Sequence, residues 1–270
     1  MASALTSRGF RVLAVDLDPQ RNLDMVAGRG MAIPVEDTAT KSVLDVLKGD
    51  CSMADAIVQS NLGDLVRASS RLSQWTGRHL ITRDEYASMP QGEILALMDQ
   101  RYKNGWGEGD HKVLRGELAS VRNNYDYILM DTNPSLTLLT INSLFAADYV
   151  LIPAFAEAAS RDAIRELWDT IRGLKAFNPE MRLQIAGILI TKFASRNLTA
   201  RKYAEGYEKM AKSMGTILFQ QKIRQSISVA EYSTSQEDLL RYDPTGKSSL
   251  DYLAFVDEFI RRIDTLEGRA

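Results

Sequence analysis

The sequence predicts an α/β fold in which a mostly parallel sheet carries helices on both faces. Four short apolar runs rich in β-branched residues, each ending in polar or turn residues, mark buried strands: RVLAVD (Arg11 to Asp16), YDYILMD (Tyr125 to Asp131), DYVLIPA (Asp148 to Ala154) and LQIAGILIT (Leu183 to Thr191). Helical patterns lie between them, with apolar residues three and four apart. The third observation concerns where chemistry would sit. Asp16, Asp18 and Asp131 fall at the carboxyl ends of predicted strands, where open α/β sheets hold their ligands.

Taken in order, ASALTSRGF reads as the tail of a helix that feeds the first strand. From about Lys41 to Asn124 the pattern changes to short helices (KSVLDVLKG, SMADAIVQ and HKVLRGELASVRNN) around one weak strand, DLVRAS. A polar, glycine-rich stretch, YKNGWGEGD (Tyr102 to Asp110), interrupts this region and reads as a surface loop. SLTLLTINSLFAA (Ser135 to Ala147) and SRDAIRELWDTIRGLKAF (Ser160 to Phe177) are helical, the second with Ile164, Leu167, Trp168, Ile171 and Leu174 on one face. The closing SSLDYLAFVDEFIRRIDTL is an amphipathic helix with Leu250, Leu253, Val256, Phe259, Ile260 and Ile263 on one side. Residues 1–270 are therefore expected to form a single α/β domain with a helical and loop insertion at about 41–124.

Composition narrows the function classes. With 45% hydrophobic and 25% charged residues the chain can bury a sizeable core. No run reaches the roughly 18 to 20 apolar residues that span a bilayer, and the opening residues lack a secretory layout, so a cytoplasmic protein is expected. The single cysteine, Cys51, allows no internal disulfide and reads as a buried or half-buried thiol. His79 and His111 have no partner at ligand spacing and read as surface or helix-cap residues. A net charge of −2 offers no global attraction to nucleic acid, which would have to meet a local patch.

One motif is discarded. YDPTGKSS contains Gly246-Lys247-Ser248, the tail of a G-x-x-x-x-G-K-[ST] phosphate loop, but Arg241 stands where the first glycine belongs and no buried strand precedes it. Ser248 or Ser249 is expected to cap the last helix instead.

RVLAVDLDPQRN, YDYILMDTNPSL, ADYVLIPAFAEAASRDAIREL, IAGILITKF, KIRQSISVAEY and YDPTGKSSLDYLAFVDEFI, in this order, resemble the ParA/Soj partition ATPases of the ParA–MinD group. Only about Asn61 to His111 falls outside the resemblance. It implies a P-loop NTPase-like fold and phosphate-anhydride hydrolysis with ATP and Mg²⁺. Asp131 would act on the metal through its water shell, Asp18 would position the attacking water, and Asp16 would support the metal and the switch loop. Thr191 and Lys192 would lie near adenine. Lys192, Arg196, Arg201 and Lys202, with Lys222 and Arg224 from QQKIRQS, form a candidate basic patch for non-specific DNA. The group's members close as ATP-dependent homodimers, bind DNA and are stimulated by a ParB-like partner, which implies a nucleoid-associated protein without membrane attachment.

Two departures bear on the switch loop. The group usually carries DPQGN and DTPPS, whereas Arg21 and Asn133 stand here at the glycine and first proline positions. A third concerns the deviant phosphate loop, K-G-G-x-G-K-T-[ST]. These 270 residues do not contain it, and the group's spacing puts it and the central strand before it ahead of Met1. The expectations are thus a partition ATPase lacking its N-terminal segment and inactive as it stands, a degenerate relative that binds DNA or a partner without turnover, or a MinD-like positioning ATPase. The last is disfavoured because the final helix ends in EGRA with no basic, aromatic-tipped anchor.

Overall fold

The structure is a computed structural model that describes residues 1–27, 40–75, 110–133, 137–226 and 238–269. Two compact units divide the chain near Ala147, the first built from Ala2–Ala147 and the second from Asp148–Ser235 and Leu239–Ala270.

In the first unit, helix α1 (Ala2–Ser7) turns into strand β1 (Val12–Leu17), every residue of which is buried. Burial on both faces explains why β1 reads as a continuous apolar run and not as an alternating one. β1 pairs in parallel with β3 (Gly63–Val66) on one side and β4 (Tyr127–Thr132) on the other. The order is β2-β3-β1-β4, with β2 (Ile57–Ser60) antiparallel to β3. This corrects the helix expected over SMADAIVQ, of which only Ala54–Ala56 makes a 3₁₀ turn. The β-branched Ile57 and Val58 pair with β3 instead, and cross-strand pairing outweighs a helical pattern this short. Gly63 makes the hairpin possible. Its φ of +107° suits glycine, and a Cβ there would lie 2.8 Å from the carbonyl oxygen of Val12.

Helices α2 (Asn22–Ala27), α3 (Val43–Lys48), α4 (Val113–Ala119) and α5 (Leu138–Ala146) also belong to this unit. At α3 the Asp45 carboxylate accepts from both the N–H and the hydroxyl of Ser42, each at 2.7 Å, which fixes the helix start. Leu13, Val15 and Leu17 of β1 pack with Val43, Val46, Leu47, Leu114 and Leu118 in one core. His111, expected at the surface or as a helix cap, is buried edge-on against Phe145 with ring centroids 4.6 Å apart, because the turn before α4 folds onto α5. His79 and most of the glycine-rich stretch, Tyr102 to Gly109, lie outside the described residues. Cys51 is half-buried and free.

β4 ends the sheet: among the described residues no strand pairs with its outer edge. Ile128, Leu129 and Met130 are accordingly only half-buried, unlike their fully buried neighbours on β1.

In the second unit, β5 (Tyr149–Phe155) and β6 (Gln184–Thr191) pair in parallel, with a bulge where the register passes from Val150–Ile185 to Leu151–Gly187. Helix α6 (Ala158–Phe177) buries Ile164, Ile171 and Leu174 and half-buries Leu167 and Trp168, the face predicted for it. Helix α7 (Leu198–Ser213) starts at Asn197, whose side-chain oxygen accepts from Thr199 N at 2.8 Å. Gly187 lets the ring of Phe219 lie on β6, since a Cβ at that position would stand 2.5 Å from the ring.

The last helix, α8 (Lys247–Leu266), differs from expectation in two ways. Its cap is Gly246, and neither serine caps it: both are buried, with the Ser249 hydroxyl donating to Asp243 O at 2.5 Å. Its inner face also begins elsewhere. Asp251, Phe255, Val256, Phe259 and Ile263 are buried, whereas Leu250 is 53% exposed. The helix is turned by polar anchors in its first turns, Ser249 on Asp243 and Asp251 on Arg224, which apolar periodicity does not register.

Candidate functional site

β1 and β4 run in parallel with Asp16 opposite Asp131, so one sheet end carries both acids by register alone. The chain then turns. Asp18 O accepts from Arg21 N and Asp18 Oδ1 from Gln20 N, each at 2.9 Å, which closes a tight turn just beyond β1.

The three candidate acids differ sharply in environment. Asp16 is wholly buried, with Oδ1 accepting from Asp18 N at 3.0 Å and Oδ2 from Asp24 N at 3.4 Å. Burial pushes its pKa up to about 7, with the Asp18 N–H opposing and the charges of Asp24 and Asp131 adding to the rise. Asp16 thus shapes the loop, because its oxygens face backbone N–H groups. Asp18 is half-buried. Asp131 reaches solvent at the strand end, yet enough protein surrounds its carboxyl to raise its pKa, and the charge of Asp18 raises it further.

Among the described residues no three His, Cys, Asp or Glu side chains converge as a metal cage. A single carboxylate open to solvent at a strand end does fit Mg²⁺, a hard cation that keeps its waters and takes its remaining oxygens from phosphates. Asp131, exposed at the end of β4, is the residue that would meet it through its water shell, whereas Asp16, expected to support the metal, has both oxygens turned to the N–H groups of Asp18 and Asp24.

Arg21 shows how the loop tolerates a large side chain at the glycine position. Its φ is 58°, the left-handed region where glycine is at ease and other residues cost about 1 kcal/mol. Its guanidinium offsets that cost by pairing with Asp24, Nη2 to Oδ2 at 2.9 Å and Nε to Oδ2 at 3.1 Å. Arg67, just after β3, reaches the same oxygen through Nε at 3.1 Å. Sequence reading missed Asp24 and Arg67. Only the three-residue spacing of Arg21 and Asp24 was available to suggest a pair.

The second unit holds the other candidate residues. Thr191 ends β6, and Lys192 follows at φ 50° with its Nζ 4.6 Å from the centroid of the Phe155 ring. Phe193 N donates to Ile223 O at 2.9 Å and Gln225 N to Phe193 O at 3.2 Å, which lays the Lys192 and Lys222 segments side by side. Lys222 sits over the Phe193 ring at 5.6 Å. Arg224 is committed elsewhere. Its Nε and Nη2 meet the buried Asp251 at 2.6 and 2.7 Å, and its N–H reaches the same carboxylate at 3.1 Å. Arg196 is exposed; Arg201 spends Nε on Ser195 O at 2.7 Å, and Lys202 lines an open cleft of about 330 Å³ with Arg161 and Tyr203.

The family model described as "AAA domain" (AAA_31) matches residues 1–184. The chromosome partitioning protein ParA of Caulobacter vibrioides is 29% identical over 274 aligned residues, covering 100% of this chain and 90% of its own. Among solved structures, cobyrinic acid a,c-diamide synthase of Mycobacterium smegmatis with bound ADP and magnesium has a TM-score of 0.62 at 26% identity, over 92% of this chain and 88% of that one. A plasmid partition protein of Borrelia burgdorferi bound to AMPPNP shares the fold at a TM-score of 0.70 and 21% identity, over 96% and 92% of the two chains.

Proposed function

Because the chain belongs to the AAA-domain family that includes the ParA/Soj partition ATPases, we propose that it serves DNA segregation as an ATP-dependent, DNA-binding homodimer whose hydrolysis a ParB-like partner stimulates. The observation that carries this reading is the register that brings Asp16 and Asp131 to one sheet end, with Asp18 on the turn between β1 and α2. Nucleotide and Mg²⁺ come to the proposal from the relatives with AMPPNP or with ADP and magnesium.

In this mechanism Asp18 accepts a hydrogen bond from the attacking water and holds it in line. Asp131 would hold Mg²⁺ through its water shell, and Asp16 keeps the turn that carries Asp18 in shape. Mg²⁺, when bound, neutralises charge on the phosphates. The phosphate cradle is not among these 270 residues, and we place it on a segment that pairs with β4, the last strand of its sheet among the described residues, whose Ile128, Leu129 and Met130 are only half-buried. Lys192, Arg196 and Lys222 supply the DNA contacts, and the protein works in the cytoplasm on the nucleoid.

The test compares Mg-ATP binding and phosphate release by the 270-residue chain and by a version preceded by a strand and phosphate loop. The extended protein should bind and hydrolyse ATP and the shorter one should do neither. In the extended protein Asp18→Ala should leave binding within a few-fold and lower turnover by roughly 10² or more, since orienting the nucleophile acts in the transition state. Binding by the 270-residue chain alone would overturn the cradle assignment. An extended protein that binds DNA and a partner without turnover would favour the second reading, a non-hydrolysing relative.

A further inference from the structure

The turn that carries Asp18 is followed by a charge arrangement that neither its backbone nor the reaction requires. Asp24, in the first turn of α2, is buried, and both guanidinium groups converge on a single oxygen, Oδ2. Oδ1 is buried with no hydrogen-bond partner among the described residues. All three side chains are shielded, at 17% exposure for Arg21, 9% for Arg67 and 5% for Asp24. Shielding matters because an exposed pair of this kind would contribute little, whereas here the charges meet in a low-dielectric setting.

Each partner is tied to a different part of the first unit. Arg21 lies in the turn closed by Asp18 O, and the Asp24 N–H is held by Asp16. Arg67 leaves β3, and its carbonyl oxygen accepts from Val43 N at 2.8 Å, the first residue of α3. A single carboxylate therefore joins the Asp18 turn, the end of β3 and the start of α3.

We propose that Arg21, Asp24 and Arg67 form a clamp in which Arg21 and Arg67 are positioning residues: they fix the Asp18 turn and tie its conformation to the β3–α3 junction. Two cations on one anion make the device redundant. Either arginine alone keeps the buried carboxylate paired, and loss of both leaves it bare. With Arg21 the turn has its left-handed residue pinned from the side chain, where a glycine would leave it free to move. The value of this for catalysis rests on the role given to Asp18 above; the clamp itself does not.

Amide hydrogen exchange on the 270-residue chain, with no nucleotide added, tests the clamp. Arg21→Met and Arg67→Met should each quicken exchange at residues 18–27 by roughly threefold, the double variant by about a hundredfold or more, while the urea midpoint of the single variants stays near that of the parent. Arg21→Lys, which keeps the charge and loses the fork, should restore part of the protection lost in Arg21→Met. In an Asp24→Asn background, adding Arg21→Met should change exchange less than twofold. Unchanged exchange in the double variant, or an Arg21→Met effect of equal size with and without Asp24, would overturn the proposal. Should Asp24→Asn fail to fold, the excess of the double arginine variant over the product of the singles decides alone, a multiplicative result counting against the clamp. ATP turnover plays no part, so failure of the ATPase reading and failure of the clamp are separable.

Discussion

Asp16 should make the protein less stable as the pH rises from about 4 to about 7, and Asp16→Asn should abolish that component. The folded carboxyl titrates at about 7 against the usual 3.8, chiefly because burial disfavours its charge. Well below the unfolded pKa of 3.8 the group is protonated in both folded and unfolded chains and contributes no difference. As the pH rises, the unfolded chain gives up its proton first, so the native state holds more protons and stability falls until the folded pKa is passed. A shift of about three units at 1.36 kcal/mol each sets a ceiling near 4 kcal/mol. The assay is urea unfolding of parent and Asp16→Asn at half-unit steps from pH 4 to 8. The difference between the two curves isolates Asp16, because the exposed Arg11–Asp126 pair, which holds Asp126 at about 2, is common to both. Asparagine keeps one acceptor for the N–H groups of Asp18 and Asp24, so a constant offset is expected on top of the slope. A difference independent of pH within about 0.5 kcal/mol would refute the reasoning that burial without a compensating cation governs this acid.

Other outcomes follow from the second unit. Arg224→Ala should lower stability by about 1 to 3 kcal/mol, because Asp251 stays buried after losing its bidentate partner, and chemical denaturation reads the loss directly. For the same reason DNA binding is better tested with Lys192→Ala and Lys222→Ala: if these lysines meet backbone phosphate, the pair should weaken binding equally on unrelated sequences and reduce the slope of log K against log salt by about 2. Gly187→Ala should cost about 1 to 3 kcal/mol, since Phe219 already packs edge-on against Phe255 at 5.1 Å and cannot retreat from the new methyl; a thermal midpoint equal to the parent would show that the ring does yield.

The sequence by itself determined the strands β1, β4, β5 and β6, the long helices α6 and α8, and the acids Asp16, Asp18 and Asp131, because each is written locally: a β-branched run, a repeat of three and four residues, a carboxylate where the run stops. Only the tertiary structure decided what those residues face. Parallel pairing made Asp16 and Asp131 neighbours while closing Asp16 off and leaving Asp131 open, a difference that two aspartates at two strand ends do not reveal. It turned Ile57–Ser60 from a helical pattern into a strand, because β3 was there to pair with it. It joined Asp24 to Arg67 across 43 residues of chain and took Arg224 from a basic patch to Asp251. Local periodicity comes from the geometry of a single backbone, whereas burial, pKa and ion pairing depend on which distant segments fold together, and no window of sequence contains both partners.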